Sequence, residues 1–175
     1  MNAIQSNWLT CKTDTDPYLL YCCRIIKHYV QKIVDIAGLD DDRNRATDLI
    51  SADDSCRVGV RIRANSALHY NGEFTMRFAR ASGARCEWQK IVKDGYGDYM
   101  VYGFRDADKP GWLVEWVLID LAVFRLHEAA GGRQFKSNGD GTSYYAYRFD
   151  NFPKELIIAS KKDGIVTPIP NNKII

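Results

Sequence analysis

The sequence predicts an α/β protein whose mixed β-sheet is flanked by helices. Hydrophobic residues recur every three or four positions over residues 17–37, as in an amphipathic helix, and alternate over residues 57–64 and 73–80, as in half-buried strands. The predicted order is helix, three strands, helix and strand, followed by C-terminal additions. Three strands joined by turns can form an antiparallel meander, and a crossover helix then adds the fourth strand parallel to a neighbour.

The first predicted helix begins at Asp16-Pro17, where an N-cap acid precedes a proline at the first helical position. Gly38 is expected to end it. Arg24 lies off the apolar stripe and is therefore expected in water. The stripe consists of Leu19, Cys23, Ile26, Val30, Ile33, Val34 and Ala37.

The three predicted strands cover residues 46–50, 57–64 and 73–80, and their side chains alternate between two faces. The apolar face of the second strand comprises Val58, Val60, Ile62 and Ala64. Its opposite face comprises Arg57, Gly59, Arg61 and Arg63. The third strand has Phe74, Met76 and Phe78 on its apolar face and Glu73, Thr75 and Arg77 on its polar face. The pattern therefore predicts a row of arginines on one side of the sheet.

Further helices and strands and a C-terminal tail are predicted in the second half of the chain. Trp88, Ile91 and Val92 are expected to be the buried side of its first helix. We assign residues 1–160 to one domain and residues 161–175 to a loop or disordered tail. The predicted elements are a helix at 85–94, strands at 98–104 and 112–119, a helix at 121–129 capped by Asp120, a loop at 138–142 and a strand at 144–149.

Composition excludes several classes of protein. Apolar residues make up 46% and charged residues 26% of the 175 positions, as in ordinary globular proteins, and the net charge of +2 means that any basic surface is local. No apolar stretch approaches the roughly 20 residues of a membrane helix, and the N-terminus lacks a secretory signal. The five cysteines include adjacent Cys22 and Cys23 and form no CxxC pair, so neither a disulfide framework nor a zinc site is predicted. We expect a cytoplasmic protein with no membrane partner.

The arginine row needs anions nearby. Three guanidinium groups on one strand face repel one another unless they meet protein carboxylates or the phosphates of a ligand. Asp48 lies in the preceding predicted strand. An acidic strand beside a basic strand is typical of metal-dependent nucleic-acid clefts.

Six short motifs, in order, resemble the PD-(D/E)XK nuclease-like superfamily, especially its uncharacterised phage and bacterial members. They are ATDLI, VGVRIR, EFTMR, EWQKI, GYGDYMVYGF and WVLIDLAVFR, and the likeness spans about residues 17–126. The resemblance implies an αβββαβ restriction-endonuclease-like core and Mg²⁺-dependent hydrolysis of DNA phosphodiester bonds. In such sites two carboxylates hold the metal, which lowers the pKa of a bound water and stabilises the charge that develops on the phosphate.

The resemblance implies a catalytic set of Asp48, Arg61 and Glu73. Asp48 matches the first acid, but the (D/E)-x-K position falls on Gly59, Val60 and Arg61, so its acid and its lysine have both changed. Arg61 stays charged and can clamp a phosphate, but it cannot act as a base. If the second and third strands pair antiparallel, Glu73 could supply the second carboxylate, and Asp48 and Glu73 would then bind Mg²⁺.

Nucleic acid, with DNA ahead of RNA, is the predicted partner, and Arg57, Arg63, Arg77 and Lys90 are the predicted contact residues. Tyr144, Tyr145 and Tyr147 could stack on bases or pack across strands. Several alternatives stay open. Asp48 could pair with Arg45 or Arg61, and Glu73 could simply neutralise the arginines. The chain could be a catalytically inactive nucleic-acid-binding or protein-interaction module, and it could form a homodimer or bind a protein partner.

Overall fold

Two β-sheets pack against each other at the centre of the fold. The computed structural model describes residues 17–168, apart from the side chains of Arg43 and Pro168; Asp16, the predicted helix cap, lies outside this range. The seven-stranded sheet has the order β1-β2-β3-β5-β6-β9-β10, and the three-stranded sheet has the order β4-β8-β7. The predicted α/β fold with a mixed sheet is confirmed.

The strands are β1 Val34–Ile36, β2 Leu49–Ser51, β3 Arg57–Arg63, β4 Glu73–Ala79, β5 Tyr99–Arg105, β6 Leu113–Asp120, β7 Gln134–Ser137, β8 Ser143–Arg148, β9 Ile157–Lys162 and β10 Ile165–Pro168. The α-helices are α1 (residues 17–29), α2 Leu39–Arg45 and α3 Leu121–His127. A π-helical segment covers Gln89–Lys93, and 3-10 turns cover Asn65–Tyr70, Phe149–Asn151 and Lys154–Leu156. None of the helices within the described range is both long and apolar enough to cross a membrane. Location in the cytoplasm stays a prediction.

The large sheet separates two hydrophobic cores. On one face, α1 packs through Ile26 and its neighbours onto Val58 of β3 and Val101 of β5. On the other face, the small sheet and α3 pack onto Met100 and Tyr102 of β5. Because β5 alternates between these cores, each face of the sheet buries one set of its side chains. Arg61 and Arg63 of β3 lie on the face toward the small sheet, as the predicted alternation requires, and both bond to Thr75 of β4.

Helix α1 is shorter than predicted. It ends at residue 29, and Gln31 adopts a left-handed conformation with φ of 58°, which turns the chain away from the helix axis. Val34 then begins β1, and Ile33, a predicted core residue, is 77% exposed. Gly38 is the N-cap of α2 rather than the end of α1. The sequence predicted neither β1 nor α2.

The predicted meander is correct for its first two strands and wrong for the third. Leu49 of β2 pairs antiparallel with Val58 of β3. Strand β4 does not pair with β3; it pairs antiparallel with β8, where Phe74 opposes Tyr147. The other edge of β3 is occupied by β5, which runs parallel to it. Packing of Phe74 against Tyr147, with ring centroids 5.2 Å apart, anchors β4 in the small sheet.

The second half follows the predictions up to α3, and β8 matches the strand predicted at residues 144–149. Asp120 caps α3, since its Oδ1 accepts the backbone N–H groups of Ala122 and Val123 at 2.8 and 3.0 Å. The helix predicted at residues 85–94 covers residues 87–93 and buries Trp88 and Ile91. Strands β7, β9 and β10 were not predicted. Residues 161–168, predicted as the start of the tail, complete β9 and form β10, while residues 169–175 lie outside the described range.

Candidate functional site

Three arginines converge on a cleft of about 110 Å³ where β3 of the large sheet meets the small sheet. We call this feature the arginine cleft. Two of the arginines come from β3 and one from β4, so neither strand alone could form it. The cleft is lined by Arg61, Arg63, Arg77, Asn138, Thr142, Ser143 and Tyr144.

Thr75 of β4 orients the two arginines of β3. Its buried Oγ1 accepts hydrogen bonds from Nε of Arg61 at 3.3 Å and from Nη1 of Arg63 at 2.9 Å. Residues two apart in a strand share a face, so one hydroxyl can reach both guanidinium groups. This contact joins the large sheet to the small sheet.

Glu87, at the start of the helix at residues 87–93, is the acid that bonds to the arginines of the cleft. Its Oε2 accepts from Nη1 of Arg61 at 2.9 Å and from the backbone N–H of Arg77 at 3.0 Å. Within residues 17–168, no carboxylate lies within 4 Å of the guanidinium groups of Arg63 and Arg77. No local pattern indicated that Glu87 would pair with Arg61, because the two residues are 26 positions apart.

The cleft carries an excess of positive charge. Burial lowers the pKa of Arg77, and the neighbouring charges of Arg61 and Arg80 lower it further, while Glu87 opposes this effect. An anion that enters between such crowded guanidinium groups offsets their repulsion and accepts charge-assisted hydrogen bonds from them.

The Gly-rich loop between β7 and β8 forms one wall of the cleft. Gly139 and Gly141 adopt φ angles of 77° and 80°, which side chains rarely tolerate. Asp140 Oδ1 accepts the backbone N–H and the hydroxyl of Thr142 at 2.8 and 2.5 Å, and Asn138 Nδ2 donates to Thr142 Oγ1 at 3.0 Å. The hydroxyl and N–H of Thr142 lower the pKa of Asp140. The loop therefore has a defined conformation that presents Asn138 and Thr142 to the cleft.

Asp48, the predicted first acid, extends the hydrogen bonding between β2 and β3. Its Oδ2 accepts the backbone N–H of Val60 at 2.6 Å, and its own N–H donates to the carbonyl of Val58 at 2.9 Å. Asp48 does not line the arginine cleft. Of its two predicted partners, Arg45 pairs with Asp41, and Arg61 pairs with Glu87 as described above.

Glu73, the predicted second acid, lies at the start of β4. Its Oε1 forms an ion pair with Nζ of Lys136 at 2.9 Å, so its partner in the described structure is a lysine of β7 rather than the arginine row. Four residues of extended strand, roughly 13 Å, separate Glu73 from Arg77. Among the described residues, no three His, Cys, Asp or Glu side chains are grouped as metal ligands. Binding of Mg²⁺ by Asp48 and Glu73 stays a prediction.

The predicted nucleic-acid contacts divide into two groups. Arg63 and Arg77 line the cleft. Arg57 lies outside it and binds Asp41 and Asp54 through its guanidinium group. Lys90 also lies outside the lining, with 9% of its surface exposed, and burial followed by the charge of Arg80 lowers its pKa.

The three candidate tyrosines have different surroundings. Tyr144 lines the cleft and lies between Arg77 of β4 and Lys136 of β7 in the register of the small sheet. Tyr145 packs on Phe78 at 4.5 Å, and the buried Tyr147 donates to Glu128 at 2.6 Å. Cross-strand packing therefore accounts for Tyr145 and Tyr147.

Sequence reasoning missed the contributions of Asn138, Thr142 and Ser143. The glycines of this segment signalled a loop, but its position over β3 depends on the pairing of β8 with β4, which no local pattern reveals. In comparisons with known proteins, no family model, curated protein or solved structure matches the chain. The resemblance to PD-(D/E)XK nucleases therefore stays a prediction.

Proposed function

We propose that this protein binds nucleic acid, DNA ahead of RNA, by seating a phosphate group of the strand in the arginine cleft. The observation that carries the proposal is the convergence of Arg61, Arg63 and Arg77 on one small polar cleft. The planar guanidinium group presents donors that match the oxygens of a phosphate, and charge-assisted hydrogen bonds of this kind are among the strongest in proteins.

Pre-orientation of the arginines supports a binding role. Thr75 and Glu87 hold Arg61 through Nε and Nη1, which leaves its remaining donors for a ligand. Arg63 is held by Nη1 alone. Side chains fixed in advance lose less conformational entropy when a ligand binds.

Tyr144 supports nucleic acid over a simple inorganic anion. Its ring lies at the cleft beside Arg77, where a base attached to a bound phosphate could stack. Stacking on an aromatic ring tolerates any base, so we expect little sequence preference.

Phosphodiester hydrolysis is the second candidate function. It is favoured by the position of Asp48, whose carboxylate accepts the backbone N–H of Val60, the residue before Arg61. The restriction-endonuclease-like core is part of this second proposal. This core is supported by α1, by the antiparallel pair β2 and β3, and by β5, which is parallel to β3. The position of β4 in a second sheet departs from the expected meander.

Binding is tested by fluorescence anisotropy with labelled single-stranded and double-stranded DNA, and with RNA of the same sequence, over a range of salt concentrations. We expect affinity to fall linearly on a log–log plot, because phosphate contacts release counterions. Arg63→Gln and Arg77→Gln should each weaken binding about tenfold or more and reduce the salt slope by about one. Arg24→Gln, an exposed arginine of α1 on the other side of the large sheet, is the matched control. No affinity at low salt, or equal losses in all three variants, would refute the proposal.

Hydrolysis is tested by nicking of supercoiled plasmid in Mg²⁺ or Mn²⁺. Asp48→Asn keeps an acceptor for the N–H of Val60 but removes the carboxylate charge that a metal needs. Metal-dependent nicking that Asp48→Asn abolishes supports the nuclease. Binding without nicking by the wild-type protein eliminates it and leaves the binding function.

A further inference from the structure

We propose that the arginine cleft recognises a terminal phosphate, the phosphomonoester at the end of a nucleic-acid strand, in preference to an internal phosphodiester. This inference rests on the proposed function and names its ligand more closely. It follows from the charge, the size and the free hydrogen-bond donors of the cleft.

The charge of the cleft matches a dianion. Three guanidinium groups line it and Glu87 is the one carboxylate that bonds to them within the described residues, which leaves two positive charges. Farther out, Arg80 and Asp140 both interact electrostatically with Arg77 and carry opposite charges, so they largely offset each other. An internal phosphodiester carries one negative charge, whereas a phosphomonoester carries about 1.5 to 2 at pH 7.

The size of the cleft excludes most of a nucleotide. Pockets that enclose a whole drug-sized ligand have volumes of roughly 300–1,000 Å³, and the arginine cleft has about 110 Å³. It can hold a phosphate group but not the attached sugar and base. A strand that enters by its end places one phosphate inside and leaves the remainder on the surface beside Tyr144. An internal phosphate would need room for the chain on both sides.

The unused donors suit three terminal oxygens. Within the described part of the chain, the guanidinium of Arg77 and the hydroxyl of Ser143 donate to no protein acceptor. Arg63 uses only Nη1. A phosphomonoester offers three strong acceptor oxygens, one more than the two non-bridging oxygens of a phosphodiester. The third oxygen is the group that an internal phosphate lacks.

The experiment compares one internally labelled oligonucleotide with a 5′-phosphate, with a 3′-phosphate and with hydroxyl groups at both ends. We expect at least one phosphorylated form to bind tenfold or more tightly than the hydroxyl form. The preference should disappear in the Arg63→Gln/Arg77→Gln double variant and persist in Arg24→Gln. Equal affinity for all three forms would overturn the terminal-phosphate inference and leave the proposed function standing, whereas no binding of any form would overturn both.

Two further measurements need no protein variant. A circular single strand of the same sequence has no ends, and we expect it to compete at least tenfold less effectively than the phosphorylated linear strand; equal competition contradicts the inference. Competition by inorganic phosphate and by a nucleoside 5′-monophosphate shows whether the cleft prefers a strand end to a free small phosphate. Weaker competition by both supports a strand end, and competition by the mononucleotide as strong as that of the strand would overturn the assignment to nucleic-acid ends.

Discussion

Replacing Glu87 by glutamine is expected to lower the stability of the protein and to raise its affinity for nucleic acid. Glu87 accepts from Arg61 at 2.9 Å and from the backbone of Arg77 at 3.0 Å, and the side chains of Glu87 and Arg61 are each 19% exposed. Exposed ion pairs contribute up to about 1 kcal/mol, and breaking buried pairs costs about 3–5 kcal/mol. The amide oxygen of glutamine keeps one acceptor, so we expect a loss of about 1–2 kcal/mol in the free energy of unfolding.

Glu87→Gln should strengthen binding, although it lowers the stability of the protein. A negative charge roughly 8 Å from a bound phosphate of one negative charge, at an effective dielectric constant of about 20–40, opposes binding by roughly 1–2 kcal/mol. Its removal should therefore tighten binding about 5- to 30-fold at low salt, and less at high salt because of screening.

Urea denaturation and fluorescence anisotropy measure the two effects of Glu87→Gln separately. Glu155→Gln removes the same charge from an exposed position and controls for the net charge of the protein. Weaker binding by Glu87→Gln than by the wild-type protein would contradict this prediction, because it would mean that positioning of Arg61 by Glu87 outweighs the repulsion between Glu87 and the phosphate.

Three further substitutions, two of them with a control variant, test the construction of the cleft and its supporting core. Thr75→Val removes the acceptor of two guanidinium groups and should cost about 1–3 kcal/mol in urea denaturation and weaken DNA binding, whereas Thr75→Ser keeps the hydroxyl and should restore both. Gly141→Ala adds a Cβ 2.8 Å from that of Ala81 at a φ of 80° and should lower the free energy of unfolding by about 1–3 kcal/mol. Gly139→Ala, at a similar φ but in open space, should lower it less. Equal losses in the two variants would show that the contact with Ala81 does not matter. Tyr147→Phe removes the 2.6 Å hydrogen bond to a buried carboxylate and should cost about 1–3 kcal/mol without changing DNA affinity; a change in affinity would contradict its purely structural role.

Local patterns predicted those features that depend on neighbouring residues. The alternation in β3 correctly assigned Val58 to the core and Arg61 to the opposite face, because the faces of a strand follow from its geometry alone. The cap of α3 was predictable for the same reason, since Asp120 bonds to residues two and three positions later.

Features that depend on distant partners could not be predicted. The alternation in β4 indicated a strand, but its partner β8 lies about 70 residues away, and the meander hypothesis chose the nearer strand β3. The apolar residues Val30, Ile33, Val34 and Ala37 continue the helical spacing of α1, so the end of α1 at residue 29 was missed.

The candidate site was predictable in part. Arg61, Arg63 and Arg77 were identified from the polar faces of their strands, and they converge because the small sheet packs on β3. The pairing of Glu87 with Arg61 and the wall formed by the 138–142 loop arise from that packing and have no sequence signature. The roles of Asp48 and Glu73 came from the nuclease resemblance and depend on the hydrolysis test.

NMR spectroscopy of the arginine side chains tests most directly whether the cleft binds phosphate. A protein labelled with ¹⁵N is titrated with the 5′-phosphorylated oligonucleotide while the Nε–H resonances are followed. We expect the resonances of Arg61, Arg63 and Arg77 to shift together with one dissociation constant, while that of Arg24 stays in place. Shifts confined to arginines outside the cleft, with those three unchanged at saturation, would contradict it.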